Sequence, residues 1–501
     1  MSKWIRKITA CFLAGFMMMK TGAVTSHGAP GWPTDIGVLA DAGIVMDVDS
    51  KTVLFGQRIH QTLPPASITK LLTALVVAEH ASMEEMVLFS NDAVYNVESG
   101  SGNKLALDEG DQLSVEDCLY VMMLLSSNQA ANALAEHVAG SREAFVDMMN
   151  EKVAELGCQD GTHFANPSGL NDDSQVVSAY DMALISVAAF QNEKVLEISS
   201  STYHKIPATK NNPDGAGFYM EHKILMAKPG DTTYYCEGAT AGKIGYTSLA
   251  GNTSVTYAVR DGRRVVSVVL KGSQPQYYID AKNLLNFGLS SFDNVKIADH
   301  ETLLQGVEQL DIGGVSWNVS ELSIEEEAAI TVPKGGQFTD ISRTLITELP
   351  QSAPKGAVAQ LQYTYNDRKV GTAWVYEESV RIAALKEKER ESQMAEMNET
   401  ELEETGEDTS TESEESAPSP EESEKPEKGK GIFGIKLVIG GTVLLILLGV
   451  AGFLAWKKKK EREAAARRRE RRRQRLMEIG YSEEQFEKLV RDRRNDGKRR
   501  P

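Results

Sequence analysis

Between Leu437 and Trp456 the chain runs for 20 residues without a charge. At about 1.5 Å per residue, a helix of that length crosses the hydrocarbon core of a bilayer. The stretch is therefore expected to be a transmembrane helix rather than a buried core helix. "WKKKK" closes it at residues 456–460, and excess lysine marks the cytoplasmic side. The beginning of the chain supplies the opposite address. "MSKWIRKITACFLAGFMMMKTGAVTSHGAP" carries Lys3, Arg6 and Lys7, then an apolar stretch, then small residues. That is the pattern of a secretory signal, with cleavage expected between Ala23 and Ala29 and residues 1–28 removed. "ITAC" resembles a lipoprotein box, but Cys11 precedes most of the apolar stretch. The expected layout is single-pass: residues from about 29 to 430 outside the membrane and a tail at 457–501 in the cytoplasm.

Charge divides the chain further. The formal net charge is −17. Residues 391–430 hold 15 acids against 3 lysines, and residues 457–501 hold 19 Lys/Arg against 9 acids. The body between signal and linker is acidic, which excludes a general nucleic-acid binder. Residues 391–430 lack core-forming side chains, so 381–430 is read as a disordered, self-repelling acidic linker. In the tail, "YSEEQF" offers Ser482 as N-cap, Gln485 as its capping-box partner and a Tyr481–Phe486 staple, predicting a short helix.

Cys118, Cys158 and Cys236 remain after signal removal, an odd number that fits no disulfide framework. They are expected to be buried thiols. No HExxH, HxxxH or CxxC spacing occurs, and nothing calls for a metal or cofactor.

Two folded segments are left, 29–292 and 293–380. In the first, "GIVMDVDSKTVLF" at 43–55 reads as two strands around a turn. From Ser67 to about residue 200 the apolar spacing is mostly helical. "TSVTYAVRDGRRVVSVVLKGS" is a hairpin around Asp261-Gly262, and "YYIDAKNLLNFGL" is a helix. Strands and helices together predict an α/β segment. After Phe292, short β-prone runs separated by turns predict a small all-β domain.

One stretch of the first segment carries a chemical question. "PPASITKLLTALVVAEH", residues 64–80, places Ser67 where two prolines end and an apolar helix begins, with Lys70 one turn on. The helix is apolar nearly all round and should be buried. Burial disfavours the charged amine. To act as a base near neutral pH, the lysine pKa must fall by roughly 3 units from about 10.4, or about 4 kcal/mol. A neutral lysine beside a serine hydroxyl makes a nucleophile with its own base. Ser-x-x-Lys alone arises by chance about once or twice in a chain this long.

Two more elements accompany it in order: Ser126-Ser127-Asn128 at the end of an apolar helix, and Lys243-Ile244-Gly245 just before the hairpin. Together these follow the SxxK, SxN and KTG logic of serine acyltransferases. With "THFANPSGL", "SAYDMALIS" and "GYTSLAGNTSVTYA", the chain resembles the serine D-alanyl-D-alanine carboxypeptidases of peptidase family S11, the low-molecular-mass penicillin-binding proteins. The resemblance covers roughly residues 35–292, and the β domain matches the same plan. It implies a penicillin-binding/β-lactamase-like transpeptidase fold, an antiparallel sheet flanked by helices, with a helical subdomain beside the sheet.

The roles it implies are these. Ser67 attacks the D-Ala–D-Ala carbonyl and Lys70 takes its proton. Ser126 relays the proton to the leaving D-alanine. Asn128 holds the substrate amide and the lysine, and Lys243 attracts the substrate carboxylate. Backbone N–H groups of Ser67 and Tyr246 form the oxyanion hole, and Gly245 completes the third motif. β-Lactams become covalent inhibitors, and the peptidoglycan stem peptide is the partner. His222, before the third motif, is read as a structural histidine.

The chain departs from the family at Ile244, where threonine is expected. The missing hydroxyl is worth about 1.5–3 kcal/mol of hydrogen bonding to a carboxylate, or ten- to a hundred-fold in rate. Three readings stay open: a slowed but working carboxypeptidase, a penicillin-binding wall-binding or scaffold protein with little turnover, and a β-lactamase. The β domain and the anchor suit a wall protein and count against the β-lactamase.

Overall fold

The computed structural model describes residues 29–97, 101–226, 233–350, 353–387 and 390. The expected signal peptide, transmembrane helix, tail helix at Ser482 and acidic stretch from 391 onward lie outside the described residues. Among those described, no helix is long and apolar enough to cross a membrane.

A five-stranded antiparallel sheet organises the first segment. Its strands run in the order Val53–Gln57, Ala42–Asp47, Arg263–Gly272, Gly251–Arg260 and Ala239–Thr247. The hairpin expected at Asp261-Gly262 is present, with φ of 53° and 77° at the two turn residues, as a type I′ turn requires. Side chains alternate across the sheet. Ile44, Met46, Val255, Val266 and Val268 enter one apolar cluster, while Val45, Leu54, Val265 and Val269 enter another behind it. The helix Gln276–Ser290 covers the rear face, and the helices Lys70–His80 and Ala179–Gln191 lie on the front. Burial on both faces explains why the interior strand Ala42–Asp47 is buried throughout and reads as an apolar run up to its last residue, Asp47.

The front layer is a helical lobe built around Lys70–His80. Val115–Leu125, Asn128–Ala139, Arg142–Glu155, Ala179–Gln191 and Glu193–Ser200 all pack against that helix. Each begins on a side chain that accepts a backbone N–H: Ser114, Ser127, Ser141, Ser178 or Asn192. Such caps satisfy donors the helix leaves free and give each start a defined position.

After Phe292 the chain is mainly β, with its own apolar cluster. Leu322–Ile324, Arg368–Glu377, Ala357–Tyr365 and Ser342–Ile346 form a four-stranded sheet, and Phe292–Lys296 pairs with Ala329–Pro333. Two boundaries differ from the sequence reading. The division at 292/293 falls inside the first strand of this region, whose Phe292 is buried in the rear cluster of the main sheet. The linker expected from 381 gives way at its start to a helix, because residues 378–387 are helical. Arg381 holds that helix, with its guanidinium 5.4 Å from the Tyr376 ring centroid and Nη1 3.3 Å from Ser323 Oγ.

The two segments interlock through buried polar groups. Asp47 is fully buried and pairs with Arg263 at 3.0 Å. Asn294 Nδ2 donates to Asp47 at 3.1 Å, and Ser50 and Thr331 share a 2.7 Å hydroxyl contact. Trp32 packs at a tilt against Phe292, with ring centroids 4.9 Å apart, and lies 5.1 Å under the Arg368 guanidinium. A protein cut after residue 292 loses the Asn294 and Thr331 partners of a buried carboxylate network. It is expected to unfold in urea with about 2–4 kcal/mol less stability than one ending at 387. Equal stabilities would show that the junction contributes nothing.

Candidate active site

Between Pro65 and Val77 every residue is buried except Ser67. Ser67 lies in a 3₁₀ turn, Ala66–Thr69, that feeds the helix Lys70–His80. The turn is forced. Ala66 has φ of 53°, the left-handed region that alanine seldom occupies. Thr253 Oγ1 holds it by donating to Pro65 O at 2.8 Å, and Thr69 Oγ1 donates to Ala66 O at 2.8 Å. The sequence places Ser67 at a helix start, but its side chain caps nothing. Its Oγ lies instead 3.1 Å from Lys70 Nζ.

Lys70 is fully buried. Its Nζ also donates to Asn128 Oδ1 at 2.8 Å and to the Ser168 carbonyl. Burial, reinforced by the neighbouring Lys243 cation, holds its pKa well below the usual lysine range.

The second motif sits on a helix break. Ser126 ends Val115–Leu125 in a left-handed conformation, φ 60°. Ser127 then caps the next helix, whose first residue is Asn128. The break turns Ser126 and Asn128 toward different lysines. Asn128 bridges Lys70 and Ser101, with Nδ2 donating to Ser101 Oγ at 3.2 Å. Ser126 Oγ accepts from Lys243 Nζ at 3.0 Å, and the Ile244 carbonyl accepts from the same nitrogen at 2.9 Å.

Lys243, Ile244, Gly245 and Tyr246 lie on the edge strand Ala239–Thr247. Lys243 is only 3 % exposed, and burial lowers its pKa to about 7. Gly245 passes so near the nucleophile that a Cβ there would fall 2.6 Å from Ser67 N. Ile244 is half-buried and packs on the rear cluster, yet it lines a small cavity with Ser126 and Lys243. The Tyr246 ring is exposed. The Ile244 carbonyl receives Lys243 at the open edge of the strand. The backbone period of two turns the Tyr246 N–H to that same edge.

Several residues at the site were not singled out in the sequence. The Ser168 carbonyl contacts Lys70, and Gly169 packs on Ala66 so tightly that a Cβ would lie 2.0 Å from its carbonyl oxygen. "NPSGL" carries the family resemblance, but nothing in its composition announces these contacts. Ser101, Thr253, Lys104 and Glu221 arrive from loops and strands without a pattern. His222 is buried and neutral: burial and Lys243 lower its pKa to about 3, and its Nε2 contacts Thr256 Oγ1 at 3.1 Å. Cys118 and Cys236 are buried and free. Cys158 is also free but only partly buried, a small departure from the expected set.

The chain has counterparts among known proteins. A family model for D-alanyl-D-alanine carboxypeptidase, peptidase family S11, matches residues 29–274. The D-alanyl-D-alanine carboxypeptidase DacD of Salmonella typhimurium is 32% identical over 294 residues, spanning 56% of this chain and 71% of the relative. The chain belongs to the S11 family of D-alanyl-D-alanine carboxypeptidases. Another member, DacF of Bacillus subtilis, is 25% identical over 355 residues, covering 70% of this chain and 87% of the relative. Penicillin binding protein 6B from Escherichia coli superposes with a TM-score of 0.51 at 26% identity, covering 70% of this chain and 99% of that one. Such coverage runs past the catalytic segment, so the S11 likeness extends into the β region. The α/β penicillin-binding-protein fold and the carboxypeptidase class of this S11 member therefore stand together.

Proposed function

We propose that this enzyme removes the terminal D-alanine of peptidoglycan stem peptides through an acyl-enzyme on Ser67, and that penicillins acylate the same hydroxyl. The observation that carries the reading is the surroundings of Lys70 Nζ. A neutral amine has two N–H groups and one lone pair. Two carbonyl-type oxygens, Asn128 Oδ1 and Ser168 O, take the N–H groups. The third neighbour, 3.1 Å away, is the Ser67 hydroxyl, so the lone pair faces the proton to be removed. Attack by Ser67 Oγ on the D-Ala–D-Ala carbonyl carbon passes that proton to Lys70. Negative charge grows on the carbonyl oxygen beside the Ser67 and Tyr246 N–H groups. Ser126, held by Lys243, takes that proton from Lys70 as it gives its own to the departing D-alanine nitrogen and the C–N bond breaks, which leaves Lys70 neutral again. Lys243 faces the substrate carboxylate. Water, activated by the same base, then releases the shortened peptide and restores Ser67. The apolar segments at 1–28 and 437–456 support, as part of this proposal, a catalytic part outside the membrane tethered by one span. The decisive experiment uses the ectodomain with a pentapeptide ending in D-Ala–D-Ala. Stoichiometric release of D-alanine supports the reading, and an intact pentapeptide sinks it.

Ile244 favours a second reading, a penicillin-binding wall protein with little turnover. Restoring a hydroxyl at this cavity wall separates the two. Ile244→Thr is expected to raise kcat/KM for D-Ala–D-Ala peptides about ten-fold. It should leave a substrate without the free carboxylate nearly unchanged. The lost apolar contact with the rear cluster should cost about 1 kcal/mol of stability. A wild type that binds penicillin yet releases no D-alanine would establish the wall-binding reading.

A further inference from the structure

One ion pair at the site has no part in the mechanism so far. Lys104 Nζ lies 2.5 Å from Glu221 Oε1. Lys104 belongs to the loop that also supplies Ser101 to Asn128. Glu221 lines the small cavity shared by Ser126, Lys243 and Ile244. A carboxylate beside the cation that must receive the substrate's own carboxylate looks misplaced, because it should repel the substrate. Its position makes sense if its partner is Lys243 rather than the substrate. We propose that Glu221 is the counter-charge that keeps Lys243 protonated in the free enzyme, and that Lys104 sets how much of that charge Lys243 feels. The proposal rests on the reading of Lys243 as the carboxylate anchor.

Among the described residues, the groups around Lys243 leave this task to Glu221. Ser126 Oγ and the Ile244 carbonyl are neutral acceptors. His222, behind the strand, is buried and uncharged. Lys70, on the nucleophile helix, adds no counter-charge. Burial works against the Lys243 cation, Glu221 supports it, and Lys104 opposes it. The cation matters twice. It draws the substrate carboxylate, and its field helps to keep Lys70 unprotonated. Were Lys243 to lose its proton, the substrate carboxylate would lose its anchor, and burial alone would be left to hold Lys70 unprotonated. Glu221 therefore acts through Lys243 as a positioning residue. Lys104, by pairing with Glu221, also screens the incoming substrate from that carboxylate.

The two partners make opposite predictions. Loss of Lys243's proton sets the alkaline limb of kcat/KM in the free enzyme. Glu221→Gln removes the supporting charge and should move that limb down by about 0.5–1 pH unit, an estimate already discounted for a half-exposed carboxylate. At the pH of the wild-type limb and above, kcat/KM then falls about three- to ten-fold. Lys104→Met removes the opposing cation and should move the limb up by a similar amount. Glu221→Asp, which keeps the charge, should return the limb toward wild type. The shift should be smaller in kcat, because bound substrate brings its own carboxylate to Lys243. The measurement is the pH profile of D-alanine release, repeated with the rate of penicillin acylation.

A bridge that only tethers the loop would be broken in both variants, so both would change in the same direction with flat pH dependence. That result, or a limb that neither substitution moves, overturns the proposal. Failure of the wild type to release D-alanine or to acylate at Ser67 instead overturns the functional reading beneath it.

Discussion

Ser67→Ala is expected to take up no penicillin at all, while the wild-type ectodomain gains the mass of one ring-opened penicillin on the peptide that contains Ser67. Nothing else at the site can substitute for this hydroxyl. Ser126 is the other candidate nucleophile, but Lys243 Nζ contacts it at 3.0 Å and must be charged to hold a carboxylate. Ser126 therefore lacks a base, whereas Ser67 has an uncharged amine 3.1 Å away. Loss of a serine nucleophile costs on the order of a million-fold in kcat in the best-measured case, a subtilisin. D-alanine release should accordingly fall below detection. The fold should barely notice, because Ser67 caps no helix and is partly open to the cleft. A melting temperature within a few degrees of wild type would show that chemistry alone was removed. An adduct persisting in the alanine variant, or mapping to Ser126, would overturn the assignment.

The parts of this site that the sequence announces are those whose spacing is local. Ser67 and Lys70 are one helical turn apart, and Ser126 and Asn128 straddle a helix break. Lys243 to Tyr246 share one strand. Each group is fixed by backbone periodicity over a few residues, so each can be read before folding. The Asp261-Gly262 hairpin and the helix after it were legible for the same reason. What stayed hidden depends on contacts between distant segments. Ser168 meets Lys70 across 98 residues, Thr253 holds Pro65 across 188, and Lys104 meets Glu221 across 117. A backbone carbonyl used as a hydrogen-bond acceptor leaves no mark on residue type, so Ser168 could not have been found from composition. The misplaced boundary at 292/293 has a related cause. A strand that opens one region while its first side chain completes the core of another reads as ordinary alternation. The local rule also failed at Ser67 itself. Two prolines followed by serine argue for an N-cap, but the alanine between them is driven into the left-handed region. That frees the serine hydroxyl for Lys70. A local preference has yielded where the chemistry needs the side chain.

That strained turn gives the second large effect. Gly169 has φ of +83°, and a Cβ there would sit 2.0 Å from Ala66 O and 2.5 Å from Ala66 C. Both are backbone atoms, so no side chain can swing aside. Gly169→Ala must displace either the Ala66–Ser67 turn or the 166–170 loop. Either movement breaks the site, because the first carries the nucleophile and the second carries the Ser168 carbonyl that orients Lys70. Penicillin acylation is expected to drop at least about 100-fold, since misplacing a reacting group by about 1 Å costs that much. Stability should fall by about 3 kcal/mol or more, combining left-handed strain with overpacking. Gly140→Ala separates the two contributions. Gly140 is also left-handed, at φ +74°, but a Cβ there would meet nothing within 4 Å. It ends the helix Asn128–Ala139, at the end opposite Asn128. That variant should lose only about 1–2 kcal/mol and acylate at the wild-type rate. If Gly169→Ala behaved like Gly140→Ala, the contact between residue 169 and the nucleophile turn would not be what holds Ser67 against Lys70. The attack geometry would then have to be held from the Thr253 side of the turn alone.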